Sequence, residues 1–215
     1  TKNTLLTMMM KKDSLFLHGD TIKGTIDKDG ERFIKAYNNV QFFSDDLQGK
    51  CQYLTYSMAD SSIRMYHRPV LWSAEQQLSG TDIILQLSNN ELKELQLLED
   101  AFISSNGTGK LFNQIKGKEM FGGFRINTLH TSEVCGNGET VYVIKDEQEK
   151  ISGVNTVSCS EMKIYVKDKG IKRISFQKQP DATLYPLADL PEEWRKLKGF
   201  EWRGDERPLS LEDIF

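Results

Sequence analysis

Histidine is the side chain best suited to proton transfer or metal binding near neutral pH. The three histidines here, His18, His67 and His130, are scattered. None has an acid or a nucleophile at a spacing that completes a catalytic set, so each reads as a surface or strand residue. Cys51, Cys135 and Cys159 are too widely spaced for a zinc or redox motif, and their odd number argues against a disulfide framework. Each reads as a small, half-buried strand residue. Asn106-Gly107-Thr108-Gly109-Lys110 has the composition of a phosphate loop but lacks the spacing that wraps a phosphate. Asp20 and Asp82 fall at one position of the repeat described below, which favours turn capping. Glycoside hydrolysis would need paired carboxylates on one face. His67-Arg68 and residues 169–173 are small basic patches that read as solvated turns. The chain therefore reads as non-enzymatic, with no cofactor and no metal.

A different set of residues recurs in phase: Val40, Phe42, Leu54, Tyr56, Met65, Val70, Trp72, Ile83, Leu85, Leu87, Leu97, Met162, Ile164 and Val166. In a strand, residues two apart share a face. Two facing sheets carrying this stripe would enclose an apolar interior. If the sheets stay parted, that interior is a groove able to take acyl chains.

The elements that carry the stripe repeat. Residues 63–87 and 34–56 share a layout of two apolar stretches around a polar turn. Ile34, Ala36 and Tyr37 correspond to Ile63, Met65 and Tyr66, and Gly49, Leu54 and Tyr56 to Gly80, Leu85 and Leu87. The offset grows from 29 to 31 residues along this alignment. Cys159, Met162 and Ile164 repeat Cys51, Leu54 and Tyr56, with Asp82 at the cysteine position. Roughly five such units are legible, the outer ones degraded, as stacked repeats predict. Each unit is two short strands, giving an all-β chain of roughly twelve to sixteen strands. Asn89–Phe102 carries helix-favouring residues, yet Leu95 and Leu97 keep the repeat phase, so it is expected to be extended. Ser104–Gly109 reads as a loop, Gly122-Gly123 as a strand break and Asp168-Lys169-Gly170 as a hairpin turn. Pro180, Pro186 and Pro191 are expected to end the sheet. Pro191-Glu192-Glu193 opens a short helix that closes before Gly199. The expected organisation is a frayed lead-in over 1–13, the β domain over 14–187, and a helix with an extended tail over 188–215.

Net charge of −3 and a pI near 5.7 argue against a nucleic-acid partner, which would ask for a basic face. A hydrophobic content of 38% suits a thin β-structure. No apolar run approaches the roughly 18 residues of a helical membrane span, so none is expected. The stretch 4–12 lacks the form of a signal peptide. The chain begins at Thr1 and reads as a piece of a longer protein.

Tyr37-Asn38-Asn39-Val40, Gly49 with Leu54 and Tyr56, Pro69-Val70-Leu71-Trp72 and Gly80-Thr81-Asp82-Ile83-Ile84-Leu85 together resemble the OstA-like (organic-solvent-tolerance) family, to which the LptA-like lipopolysaccharide-transport proteins belong. Glu161–Val166 and Ile171–Pro180 extend the resemblance, which covers about residues 14–187. Trp194–Phe215 resembles the tail of larger OstA-like proteins of Bacteroidetes-type bacteria. Gly-Thr-Asp at 80–82 departs from the family's Gly-Asp-Thr order, and residues 104–125 break the repeat.

The resemblance implies an open antiparallel β-jellyroll, or β-taco, in the periplasm of a Gram-negative bacterium, associated with the outer membrane through partners. It implies a module that carries the acyl chains of lipopolysaccharide (lipid A) in its groove. Its exposed strand edges would pair with other jellyroll domains of the transport system, or with a second copy of itself. The alternative is a structural adaptor that joins such domains without binding lipid. The N-terminal edge, Leu15–Ile26, is expected to be the adhesive one, with Pro180, Pro186 and the helix capping the other end.

Overall fold

The computed structural model describes residues 4–11, 14–108, 111–125, 128–148, 150–167 and 170–215. The predicted turn at Asp168-Lys169 lies outside them. The fold is all-β and antiparallel throughout, as expected, with fifteen strands among the described residues. They are β1 (Thr4–Met9), β2 (Ser14–Gly19), β3 (Thr21–Ile26), β4 (Arg32–Phe43), β5 (Leu47–Ser57), β6 (Ser62–Tyr66), β7 (Val70–Ser73) and β8 (Gln76–Ser79). There follow β9 (Asp82–Ser88), β10 (Glu91–Thr108), β11 (Leu111–Arg125), β12 (Thr128–Lys145), β13 (Ile151–Lys167), β14 (Gly170–Gln177) and β15 (Asp181–Tyr185). Among the described residues the one α-helix, α1 (Glu192–Arg195), sits where Pro191 and two acids predict a start. Short 3-10 turns follow in the tail.

Each long strand passes through a corner and so serves two half-sheets. The corners are built from consecutive left-handed residues: Asn38-Asn39, His67-Arg68, Glu99-Asp100 and Lys178-Gln179, with Gly136-Asn137 completing the series. Strands in between turn with single residues. The amides of Asp20, Gln52 and Ser160 each donate to the carbonyl of the first left-handed residue next door, Asn38, His67 and Lys178, at 3.1–3.3 Å. The left-handed conformation costs a residue with a Cβ roughly 1–2 kcal/mol. Asparagine tolerates it best, which explains Asn38-Asn39. The repeat therefore survives as geometry where its letters have changed.

Several expectations are corrected. Residues 91–102 are extended as predicted, but the strand runs on to Thr108, so Ser104–Thr108 is not a loop. Gly122 and Gly123 lie inside β11. Gly122 marks close packing, since a Cβ there would stand 2.8 Å from the Leu129 side chain. Strands β10 to β13 are 15–18 residues long, not short, because each spans both halves. Thr4–Met9 is a strand paired along its length with β2, so β2 is internal. The unpaired edges belong to β1 and β3 at one end and to β14 and β15 at the other, where Pro180 precedes a further strand. The repeat offset stays at 29: Ile83 lies level with Leu54 through Met65, and Asp82 level with Tyr53 through Tyr66. Gly80 thus holds the cysteine position. The cysteine equivalence itself is real: the Cys51 thiol donates to the Tyr53 carbonyl and the Cys159 thiol to that of Glu161.

Candidate functional site

The two half-sheets face each other across one continuous core. Val40, Phe42, Leu54, Met65, Ile83, Leu85, Leu87, Leu97, Met162, Ile164 and Val166 all lie in it, and Tyr56 packs against it half-buried. The core is filled, not hollow, over most of its length: Val40, Met65, Ile83 and Leu97 have no exposure at all. Close approach is built in at Gly49, where a Cβ would fall 2.3 Å from the Phe42 ring. The N-terminal end of the mouth opposite the corners is tied shut. Leu6, Met8 and Met10 pack onto the core from β1. The Lys11 amide donates to the Asn90 carbonyl at 3.0 Å, and its ammonium sits 3.1 Å from Glu91.

Trp72 and Val70 do not join this interior, contrary to the stripe's phase. Trp72 pairs with Gln48 and Gln77 and so shares their face, the outer one. All four residues of β7 are buried, and a strand covered on both sides cannot reveal by alternation which side faces which layer. The cover is the tail. Leu190, Leu197 and Phe200 form a second core with Phe102, Val141, Val143 and Val154, and Phe112 packs against Phe200 and Trp202. The tail therefore covers a face; it does not cap an edge.

Glutamines on β8 and β11 hold that tail by its backbone, and one on β5 holds it by a side chain. Gln77 Nε2 donates to the Glu201 carbonyl (2.7 Å), and the Arg203 amide donates to Gln77 Oε1 (2.6 Å). Gln114 makes the same reciprocal pair with the Arg195 carbonyl (3.0 Å) and the Leu197 amide (2.9 Å). Arg207 Nε donates to Gln48 Oε1 (2.9 Å). Arg203, only 9% exposed, forks onto Glu206 at 2.7 and 3.0 Å, and Lys50 adds a contact at 2.9 Å. The hydrogen bonds from Arg203 first, and Lys50 after them, pull the Glu206 carboxyl down to about 2. Sequence reading missed this clasp. Its only sequence signal is glutamine set among apolar strand residues.

The interior opens at the C-terminal end. There the inner faces of β12 and β13 meet β14 across a cleft of about 310 Å³, lined by Tyr142, Ile144, Ile171, Ile174 and Phe176. Thr140 and Asn155 add polar groups to the lining, and Lys172 and Arg173 stand with them around the cleft. Ile171, Ile174 and Phe176 are half-buried against the continuous core, so the cleft is its unfilled extension. None of these residues belongs to the sequence stripe except by continuity with Ile164 and Val166. Alternation gives a face but not the separation between sheets.

The polar candidates disperse. His67 is a corner residue, His18 packs edge-on against Phe215, and His130 lies on β12. Among the described residues no three of His, Cys, Asp and Glu converge as metal ligands would. Burial pushes the Cys51 thiol up to about 12, which keeps it protonated and inert.

No protein-family model and no curated protein matches the chain. Among solved structures it is similar to the crystal structure of LptH, described as the LptA homologous periplasmic component of the conserved lipopolysaccharide transport device from Pseudomonas aeruginosa. That similarity has a TM-score of 0.48 at 10% identity, covering 66% of this chain and 100% of that one.

Proposed function

We propose that this chain is a non-enzymatic, lipid-carrying module of a lipopolysaccharide-transport system, working in the periplasm of a Gram-negative bacterium and reaching the outer membrane through partners. The observation that carries the reading is the apolar cleft between β14 and the inner faces of β12 and β13. Its volume lies at the lower end of the range for small-molecule pockets, roughly 300–1,000 Å³. It suits the end of an acyl chain, and it continues into a core built from the residues of the sequence stripe. Lys172 and Arg173 stand beside it, where a lipid A phosphate would emerge. The residue pattern described for OstA-like proteins supports the same reading. The free edges of β14 and β15, and of β1 and β3, are then the surfaces for pairing with other jellyroll domains or with a second copy.

One observation favours the adaptor reading: the core at Val40, Met65, Ile83 and Leu97 is closed. A photo-reactive residue placed at Ile174, at Phe176 or at Met65 separates the two. With lipopolysaccharide present, the carrier crosslinks at Ile174 and Phe176 and not at Met65. Absence of lipid crosslinks at all three positions, with retained capture of an LptA-like domain, makes the protein an adaptor.

A further inference from the structure

The half-sheet without the tail carries a second surface on its outer face, across β3 to β6. Lys23 and Lys35 are direct cross-strand partners there, and Lys35 continues through Thr55 to Arg64. The neighbouring row is Tyr37, Tyr53 and Tyr66, stacked at centroid separations of 4.9 and 5.5 Å. Like charges directly opposite destabilise a sheet. Among the described residues neither lysine has a carboxylate partner. Lys23 lies over the Tyr37 ring and Lys35 over Phe33, at 5.9 and 5.7 Å. Arg64 alone has a counter-charge, Asp60 at 3.6 Å. A lysine on an edge strand is a common guard against aggregation, which accounts for Lys23 on β3. It does not account for Lys35, which lies on β4 with β3 on one side and β5 on the other.

The geometry points to a docking plate for an anionic saccharide chain. The ammonium groups of Lys23 and Lys35 would take its carboxylates or phosphates, and the tyrosine phenols would donate to its hydroxyls. Charge complementarity selects the occupant: two uncompensated cations, no acid in the Lys23–Arg64 row, and a parallel row of phenols. Burial, then the neighbouring Tyr37 phenol, raises Tyr53 above the ordinary tyrosine range, so it stays a neutral donor. Four strands at a spacing of roughly 4.8 Å make the row about 14 Å long, room for a short chain and not for one anion. Asp82, paired with Tyr66, bounds the plate on its far side. The plate lies on the opposite side of its half-sheet from the core, so it stands independently of the acyl-chain reading.

Titration calorimetry with a short oligogalacturonate, which has no acyl chain, tests it, with maltohexaose and inorganic phosphate as the other arms. The expected result is binding of oligogalacturonate that weakens with salt and is lost about tenfold in the Lys23→Gln/Lys35→Gln variant. Tyr53→Phe should weaken binding while leaving its salt dependence in place. Equal binding of maltohexaose, binding of phosphate as tight as of the oligomer, or unchanged affinity in the double variant each overturns the proposal. So does a double variant that self-associates while the wild type binds no saccharide, since that outcome makes the lysines edge guards only. Lipid crosslinking at Ile174 is read separately and does not depend on these residues.

Discussion

Replacing Glu206 by Gln should loosen the tail by a predictable, pH-dependent amount. Glu206 takes a forked pair of hydrogen bonds from Arg203 and one contact from Lys50. Its carboxyl falls from the ordinary 4.5 to about 2, a drop of about 2.5. At 1.36 kcal/mol per pH unit, full linkage would be about 3.4 kcal/mol. The side chain is 34% exposed, so solvent screening reduces this to about 1–2 kcal/mol. A depressed carboxyl stabilises the fold above its unfolded value and loses that contribution as pH falls. The wild-type advantage should therefore be full above about pH 5 and should shrink between about 4.5 and 2. Urea melts of both proteins from pH 2 to 7, followed by tryptophan fluorescence, measure the gap, since Trp72, Trp194 and Trp202 all lie in or under the tail. A gap that stays constant across that range, or is absent at neutral pH, refutes the argument that the charge of Glu206 holds Arg203.

Trp72→Ala should cost about 3–5 kcal/mol, since Trp72 is 1% exposed, yet leave lipid crosslinking at Ile174 intact in the folded fraction. Loss of crosslinking in folded protein would place Trp72 back in the lipid path. Gly49→Ala should destabilise by about 1–3 kcal/mol through overpacking against Phe42, read as a lower urea midpoint with unchanged slope.

The sequence disclosed the parts of the fold that repeat. The equivalence of Cys51 with Cys159 and the extended state of residues 91–102 both rested on repeat phase, and tertiary pairing overrode the helix propensity of that segment. Trp72 was misplaced because β7 is covered on both faces, so alternation carried no information there. Aligning Gly49 with Gly80 puts Asp82 level with the cysteines, whereas strand pairing keeps the offset at 29 and puts Gly80 there. The cleft at Ile144, Ile171, Ile174 and Phe176 was invisible for another reason. Those residues look like ordinary sheet residues, and only the spacing of the half-sheets leaves the gap. The glutamine clasp on the tail depends on partners more than a hundred residues away, as Gln77 and Arg203 are, and no local pattern predicts such a pairing.

The corners give the molecule a direction. Because β10 to β13 each run through both halves, their hydrogen-bond ladders resume on the far side of a bulge at each bend. The bends form a spine, so the halves are held against parting there by paired strands. At one end Lys11, bonded to Asn90, acts as a tether against that parting. At the other end the cleft separates Ile144 from Ile174. The two ends of the spine therefore differ: one is fastened across the mouth, and the other carries a cleft.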